Sequence, residues 1–238
     1  VLYEGPSRLN GSPVVAIATG LANPSQNSKT GDELQVWILV QDDHPIAALQ
    51  DGGDAAICGD CKHRPYLGGS CYVNVGQAPG NIWKSYKRGI YPKVTEEQVK
   101  EIFAGTVLRF GAYGDPAAVP LKVWQTIFGV ARGWTGYTHQ WRTLDASWQG
   151  IMASVDNIDE YIIAKEAGWR TFRVRKPQED LLAKEISCPA AVESTKTYGT
   201  VVCADCRLCD GTAKSPKIKD IAIVVHGSKS KRFIEAGA

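Results

Sequence analysis

Long apolar runs are missing from this 238-residue chain. No stretch approaches the roughly 20 residues of a membrane span, so no membrane partner is expected. An excess of one charge is missing too: 27 Lys and Arg stand against 25 Asp and Glu, for a net charge of +2. So small an imbalance does not by itself argue for nucleic acid. Internal repeats and low-complexity linkers are absent. The loop at 20–32 (GLANPSQNSKTGD) contains Lys29 and Thr30 but not the GxxxxGK[ST] pattern that cradles phosphates. The GxGxxG fingerprint of a dinucleotide site is absent as well. No charged-then-apolar leader opens the sequence, and Val1 reads as a processed or trimmed N-terminus. A reducing, cytoplasmic location is therefore expected.

What is present is an ordinary globular composition, 44% hydrophobic and 22% charged. The length suits one domain over 1–238 with a large core. Two basic clusters stand out: Lys84, Lys87 and Arg88, then Lys214, Lys217, Lys219, Lys229, Lys231 and Arg232. The simpler reading of both is a solvated face, with a nucleic-acid track as the alternative.

The seven cysteines carry the strongest signal, because they fall into two groups. Cys58, Cys61 and Cys71 lie in CGDCKHRPYLGGSC. Cys188, Cys203, Cys206 and Cys209 lie in CPAAVESTKTYGTVVCADCRLC. Thiols used as core filler would be scattered. An odd count fits a disulfide framework poorly, and such spacings in a reducing compartment read as metal binding. Cys203-x2-Cys206-x2-Cys209 with the remote Cys188-Pro189 resembles a ferredoxin-type [4Fe–4S] motif. Zinc is the alternative, including a mixed site from Cys58, Cys61, Cys206 and Cys209. The first group offers three thiolates. Either His63 completes it, or His63 is an ordinary loop histidine and one iron of a second cluster stays open. A helix directly after Cys71 would place its N-terminal dipole beside an anionic centre.

From residue 34 the chain alternates strands and helices. Strands are predicted at 34–40, 107–113, 134–141, 151–155, 169–174, 184–187 and 221–225. Helices are predicted at 81–88, 95–103, 117–132 and 158–167, the last amphipathic. Thr95 and Gln98 form a capping box. This alternation predicts an α/β fold with a parallel sheet, an open or incomplete α/β barrel with cysteine-rich loops. The predicted strand ends carry Asp115, then His139 and Gln140, then Asp156 and Asn157, then Arg173 and Arg175, then Cys188. That edge of a parallel sheet is where βα loops build a site. Asp115, His139, Gln140, Asp156 and Arg173 are therefore the candidate cavity wall. Asp115, Asp156 and Asn157 equally suit helix caps.

Two resemblances follow from these residues. A three-cysteine loop followed by a βα series resembles, in plan, the radical S-adenosylmethionine superfamily. There an open iron chelates S-adenosylmethionine, which would make Cys58, Cys61 and Cys71 cofactor-binding. The usual CxxxCxxC is missing here. More of the chain resembles a bacteriophage family catalogued as gene product 88. The strings NPSQNSKTGDELQVWIL, CGDCKHRPYLGGSCYVNVGQAP, LRFGAYGDPAAVP, WTGYTHQW, GWRTFRV and CPAAVE with CADCRLCDG carry that likeness. It implies a phage origin and the host cytoplasm, and no activity. Two function classes result. One is an iron–sulfur enzyme acting on a small molecule, nucleotide or nucleic acid. The other is a non-catalytic, metal-stapled binding protein in phage nucleic-acid metabolism or host takeover.

Overall fold

The computed structural model describes residues 1–25, 27–212 and 218–236. Lys214 and Lys217 of the C-terminal basic cluster lie outside the described residues. The strands are β1 (Tyr3–Pro6), β2 (Pro13–Thr19), β3 (Leu34–Val40), β4 (Val107–Tyr113), β5 (Gly133–Thr138), β6 (Met152–Val155), β7 (Thr171–Arg175), β8 (Glu185–Ser187) and β9 (Asp220–Val224). The helices are α1 (Pro45–Asp51), α2 (Ala55–Cys58), α3 (Ala78–Lys87), α4 (Glu96–Phe103), α5 (Leu121–Phe128), α6 (Ile158–Glu166), α7 (Thr195–Tyr198), α8 (Cys203–Cys206) and α9 (Ser230–Glu235).

The strands form one nine-stranded sheet in the order β1-β2-β3-β4-β5-β6-β7-β9-β8, with β1 and β8 as free edges. The sheet is mostly parallel and not closed. Only β1–β2 and β2–β3 pair antiparallel. From β3 to β7 each new strand lies parallel beside the last. Crossovers that advance one way and share one hand put their helices on a single face. Val99 and Phe103 of α4, Trp124 and Ile127 of α5, and Ala164 of α6 accordingly share one core with Leu108, Phe110 and Val155. The opposite face of the parallel strands is left free of those helices.

The sequence expectations hold for β3 and β4, and for the capping box of α4, where Thr95 and Gln98 bond reciprocally. Other elements differ for local reasons. The expected helix at 117–132 begins only at Leu121. Pro120 forces Val119 into an extended conformation, φ −106° and ψ 145°. The strand expected at 134–141 stops at Thr138, because Asp115 takes the His139 amide and Thr138 Oγ1 takes that of Gln140. Helix α6 is not amphipathic: Ile158, Ile162 and Ile163 are about half exposed, and Ala164 is its one buried residue. Strands β1 and β2 were not expected, although Val14 to Ile17 are fully buried.

Phe110 ties the sheet to its helix layer. It is 1% exposed and meets Trp124 and Phe128 edge-on at 5.1 and 5.4 Å. Phe110→Ala should lose about 3–5 kcal/mol of unfolding free energy in a denaturant titration. A loss under about 1 kcal/mol would show that this layer is not the main packing contact.

Candidate metal centre

On the face free of the crossover helices lies a cavity of about 390 Å³. All seven cysteines line it. Strand parity selects its other walls. Arg109, Gly111 and Tyr113 of β4, Thr135 and Tyr137 of β5, Ser154 of β6, and Phe172 and Val174 of β7 face it in alternation.

The three-cysteine loop is built on α2, which ends at Cys58. Short backbone bonds fold it over, from Cys61 N to the Cys58 carbonyl at 3.1 Å and from Cys71 N to the His63 carbonyl at 2.9 Å. Gly69 permits this return, since a Cβ there would sit 2.3 Å from the His63 carbonyl carbon. Arg64 clamps the loop from inside. Its Nε and Nη2 donate to Asp54 Oδ1 at 3.0 and 2.6 Å, and its other donors reach the Gly59 and Gly52 carbonyls. The helix expected directly after Cys71 starts only at Ala78, so its dipole does not abut the thiols in sequence.

The four-cysteine group is assembled from distant chain. Cys188 follows β8 and donates its amide to the Ala222 carbonyl at 2.8 Å. Helix α8 carries Cys203 and Cys206, and the 20–32 loop braces it: Cys203 N meets the Lys29 carbonyl at 2.9 Å, and Ala204 N that of Thr30 at 3.2 Å. Arg207 then turns the chain at φ +50°, the one non-glycine residue with positive φ among those described. Such a conformation is strained and turns up at functional loops. Arg170 holds the far side through the Leu208, Asp210 and Lys219 carbonyls.

The thiols are free and hard to ionise. Burial pushes all seven upward, Cys61 and Cys203 to about 12. Mutual repulsion adds within each group: Cys61 and Cys71 raise Cys58, while Cys188, Cys203 and Cys206 raise Cys209. A bound cation would offset that cost and favour the thiolates.

Of the strand-end candidates, Asp115, His139 and Asp156 are on the cavity wall. Asp115 is a structural hub, accepting from Ala117 N, Thr138 Oγ1 and His139 N at 2.9, 2.7 and 2.8 Å. Asp156 binds His63 Nε2 through Oδ2 at 2.7 Å, with Lys62 Nζ at 3.4 Å. Burial raises its carboxyl, but the His63 bond and the His139, His63 and Lys62 charges outweigh that and hold it near about 2. Asn157 is the cap of α6. Gln140 and Arg173 are not on the wall. Gln140 supports the cysteine loop from behind, its Nε2 donating to the Cys58 carbonyl at 3.2 Å. Arg173 points to the other face, because Phe172 and Val174 take the cavity side. There it grips Glu185 bidentately at 2.8 and 2.7 Å.

Sequence reasoning missed Arg109, Tyr137, Arg64 and Glu33. All but Arg64 line the cavity. The first two are in phase with Asp115 and His139, so strand parity could have found them. Glu33 is fully buried on the wall with both carboxylate oxygens unpartnered. Burial pushes its carboxyl up to about 7, with the Arg109 charge acting in the opposite direction.

No protein-family model, curated protein or solved structure matches the chain. No helix among the described residues is long and apolar enough to cross a membrane.

The folded chain keeps its Glu33 proton up to about pH 7, whereas the unfolded chain loses it near 4.5. Stability therefore falls as pH rises through that window. Glu33→Gln, which cannot ionise, should become more stable than the parent by about 1–3 kcal/mol at pH 8 and not at pH 4.5; equal denaturation midpoints at both values would contradict it. Arg173→Met strands the buried Glu185 carboxylate and should cost about 3–5 kcal/mol. It should leave metal content per folded chain unchanged, and a fall in metal content would put Arg173 back at the site.

Proposed function

We propose that the chain is a phage-encoded iron–sulfur protein of the host cytoplasm, with a radical-type active site in the cysteine-lined cavity. Its sheet would serve as an open α/β barrel whose mouth is closed by the two cysteine loops. Cys188, Cys203, Cys206 and Cys209 would hold a closed [4Fe–4S] cluster. Cys58, Cys61 and Cys71 would hold a second through three irons, leaving the fourth iron open.

The observation that carries this reading is convergence: every thiol of the chain lines one cavity. The ferredoxin-like Cys203-x2-Cys206-x2-Cys209 spacing with the remote Cys188 is what favours a cluster over a single zinc ion.

When bound, such clusters supply one-electron chemistry, and S-adenosylmethionine is the cofactor an open iron would take. The residues do the rest. The cavity volume of about 390 Å³ lies in the range of small-molecule sites. Phe172, Val174 and Tyr137 contribute apolar surface to its walls. Arg109, hydrogen-bonded to the Tyr72 hydroxyl at 2.7 Å, presents a cation to the carboxylate or phosphate of a small molecule or nucleotide. Tyr137 and Cys209 both line the cavity, and burial holds both toward their protonated forms.

Anaerobic purification and metal analysis test the proposal. The expected protein is brown, with about eight irons per chain. Cys206→Ser should lose about half of them and melt at a lower temperature, since the binding energy of a structural metal is folding energy. Cys71→Ser should lose the response of the cluster's electron paramagnetic resonance spectrum to S-adenosylmethionine. A colourless protein holding zinc would instead favour a metal-stapled binding protein.

A further inference from the structure

We propose that His63, His139 and Asp156 form a separate mononuclear site for a divalent transition metal, distinct from both cysteine groups. Their ligand atoms all lie within 4.8 Å of one another, and among the described residues no other set of metal-ligating side chains is that tight. The three residues come from three places: the first cysteine loop, the end of β5 and the end of β6. Two histidines with one carboxylate are a ligand set that holds iron(II) or a similar ion and leaves coordination positions open.

Two observations separate this site from a simple His–Asp hydrogen bond. Asp156 is 1% exposed, and its Oδ1 has no partner. His139 Nε2 is also buried without a partner, 4.0 Å from Asp156 Oδ2. A dyad of His63 and Asp156 would need neither orphan; a cation between the three residues satisfies His139 Nε2. Metal bonds of about 2.0–2.2 Å bring ligand atoms to roughly 3–3.5 Å from one another. His139 must then close slightly and His63, now at 2.7 Å from Asp156, must open.

The surroundings suit a ligand histidine. Ser70 Oγ bonds the other ring nitrogen of His63 at 2.8 Å and orients the ring with Nε2 toward Asp156; the hydroxyl can accept from Nδ1–H once a metal replaces the proton on Nε2. Phe233 of α9 stacks on the same ring at 5.7 Å and shields it. Lys62 opposes a cation, with its Nζ 3.4 Å from Asp156 Oδ2. It is 46% exposed and has Glu160 as a second partner at 3.5 Å, so it can withdraw to Glu160. The open positions would face the cavity and accept water or a small chelating oxygen donor such as a hydroxy or oxo acid.

Cobalt(II) added to the protein as purified, with its cysteine sites filled, tests this apart from the cluster reading. One equivalent should bind with visible d–d absorption and no thiolate-to-cobalt charge-transfer band. His139→Ala, whose ring nitrogen Nε2 has no bond to lose, should weaken binding at least about 100-fold, and Ser70→Ala about tenfold. Absence of binding, equal affinity in His139→Ala, or a thiolate-to-cobalt charge-transfer band would each overturn the site.

Discussion

Alternation along the parallel strands is the constraint on which the rest of the molecule depends. Successive side chains point to opposite faces, so each strand supplies one set to the helix layer and one to the cavity. In β4 the first set is Leu108 and Phe110, and the second is Arg109, Gly111 and Tyr113. The phase carries on past the strand ends to Asp115, His139 and Asp156. Because the crossover helices take one face, the other is free to be roofed by loops. Both cysteine groups are in that roof.

The electrostatics of this roof are unbalanced in one direction. Thiols, the Glu33 carboxyl and the Tyr137 hydroxyl are all held toward their protonated forms by burial. Arg109, Lys29 and Lys229 are cations that act against this. Under the proposed reading, a metal bound there would take thiolates, and each ligand thiol would release its proton.

Much of this was legible in the sequence. Cysteine grouping located both loops, and the periodic stretches around 34–40 and 107–113 gave the sheet. What was not legible has physical causes. Pro120 interrupted a helix whose hydrophobic spacing looked continuous, because Val119 is buried from an extended conformation as well as it would be from a helical one. Arg173 was grouped with the cavity residues because it lies at a strand end, but its neighbours Phe172 and Val174 fix the opposite phase. Gln140 is out of phase with His139 in the same way. The pairing of His63 with Asp156 joins a loop to a strand end 93 residues away, and no local pattern encodes that.

The brace between the 20–32 loop and α8 has a consequence for biosynthesis. Lys29 and Thr30 emerge early from the ribosome, and the Cys203 and Ala204 amides they receive emerge near the end. Until then the loop has no partner for those carbonyls and the four-cysteine group has no floor. Strands β8 and β9, which position Cys188, also come late in the chain. The cavity therefore stays unroofed during synthesis until residues 203–224 have followed the rest of the sheet.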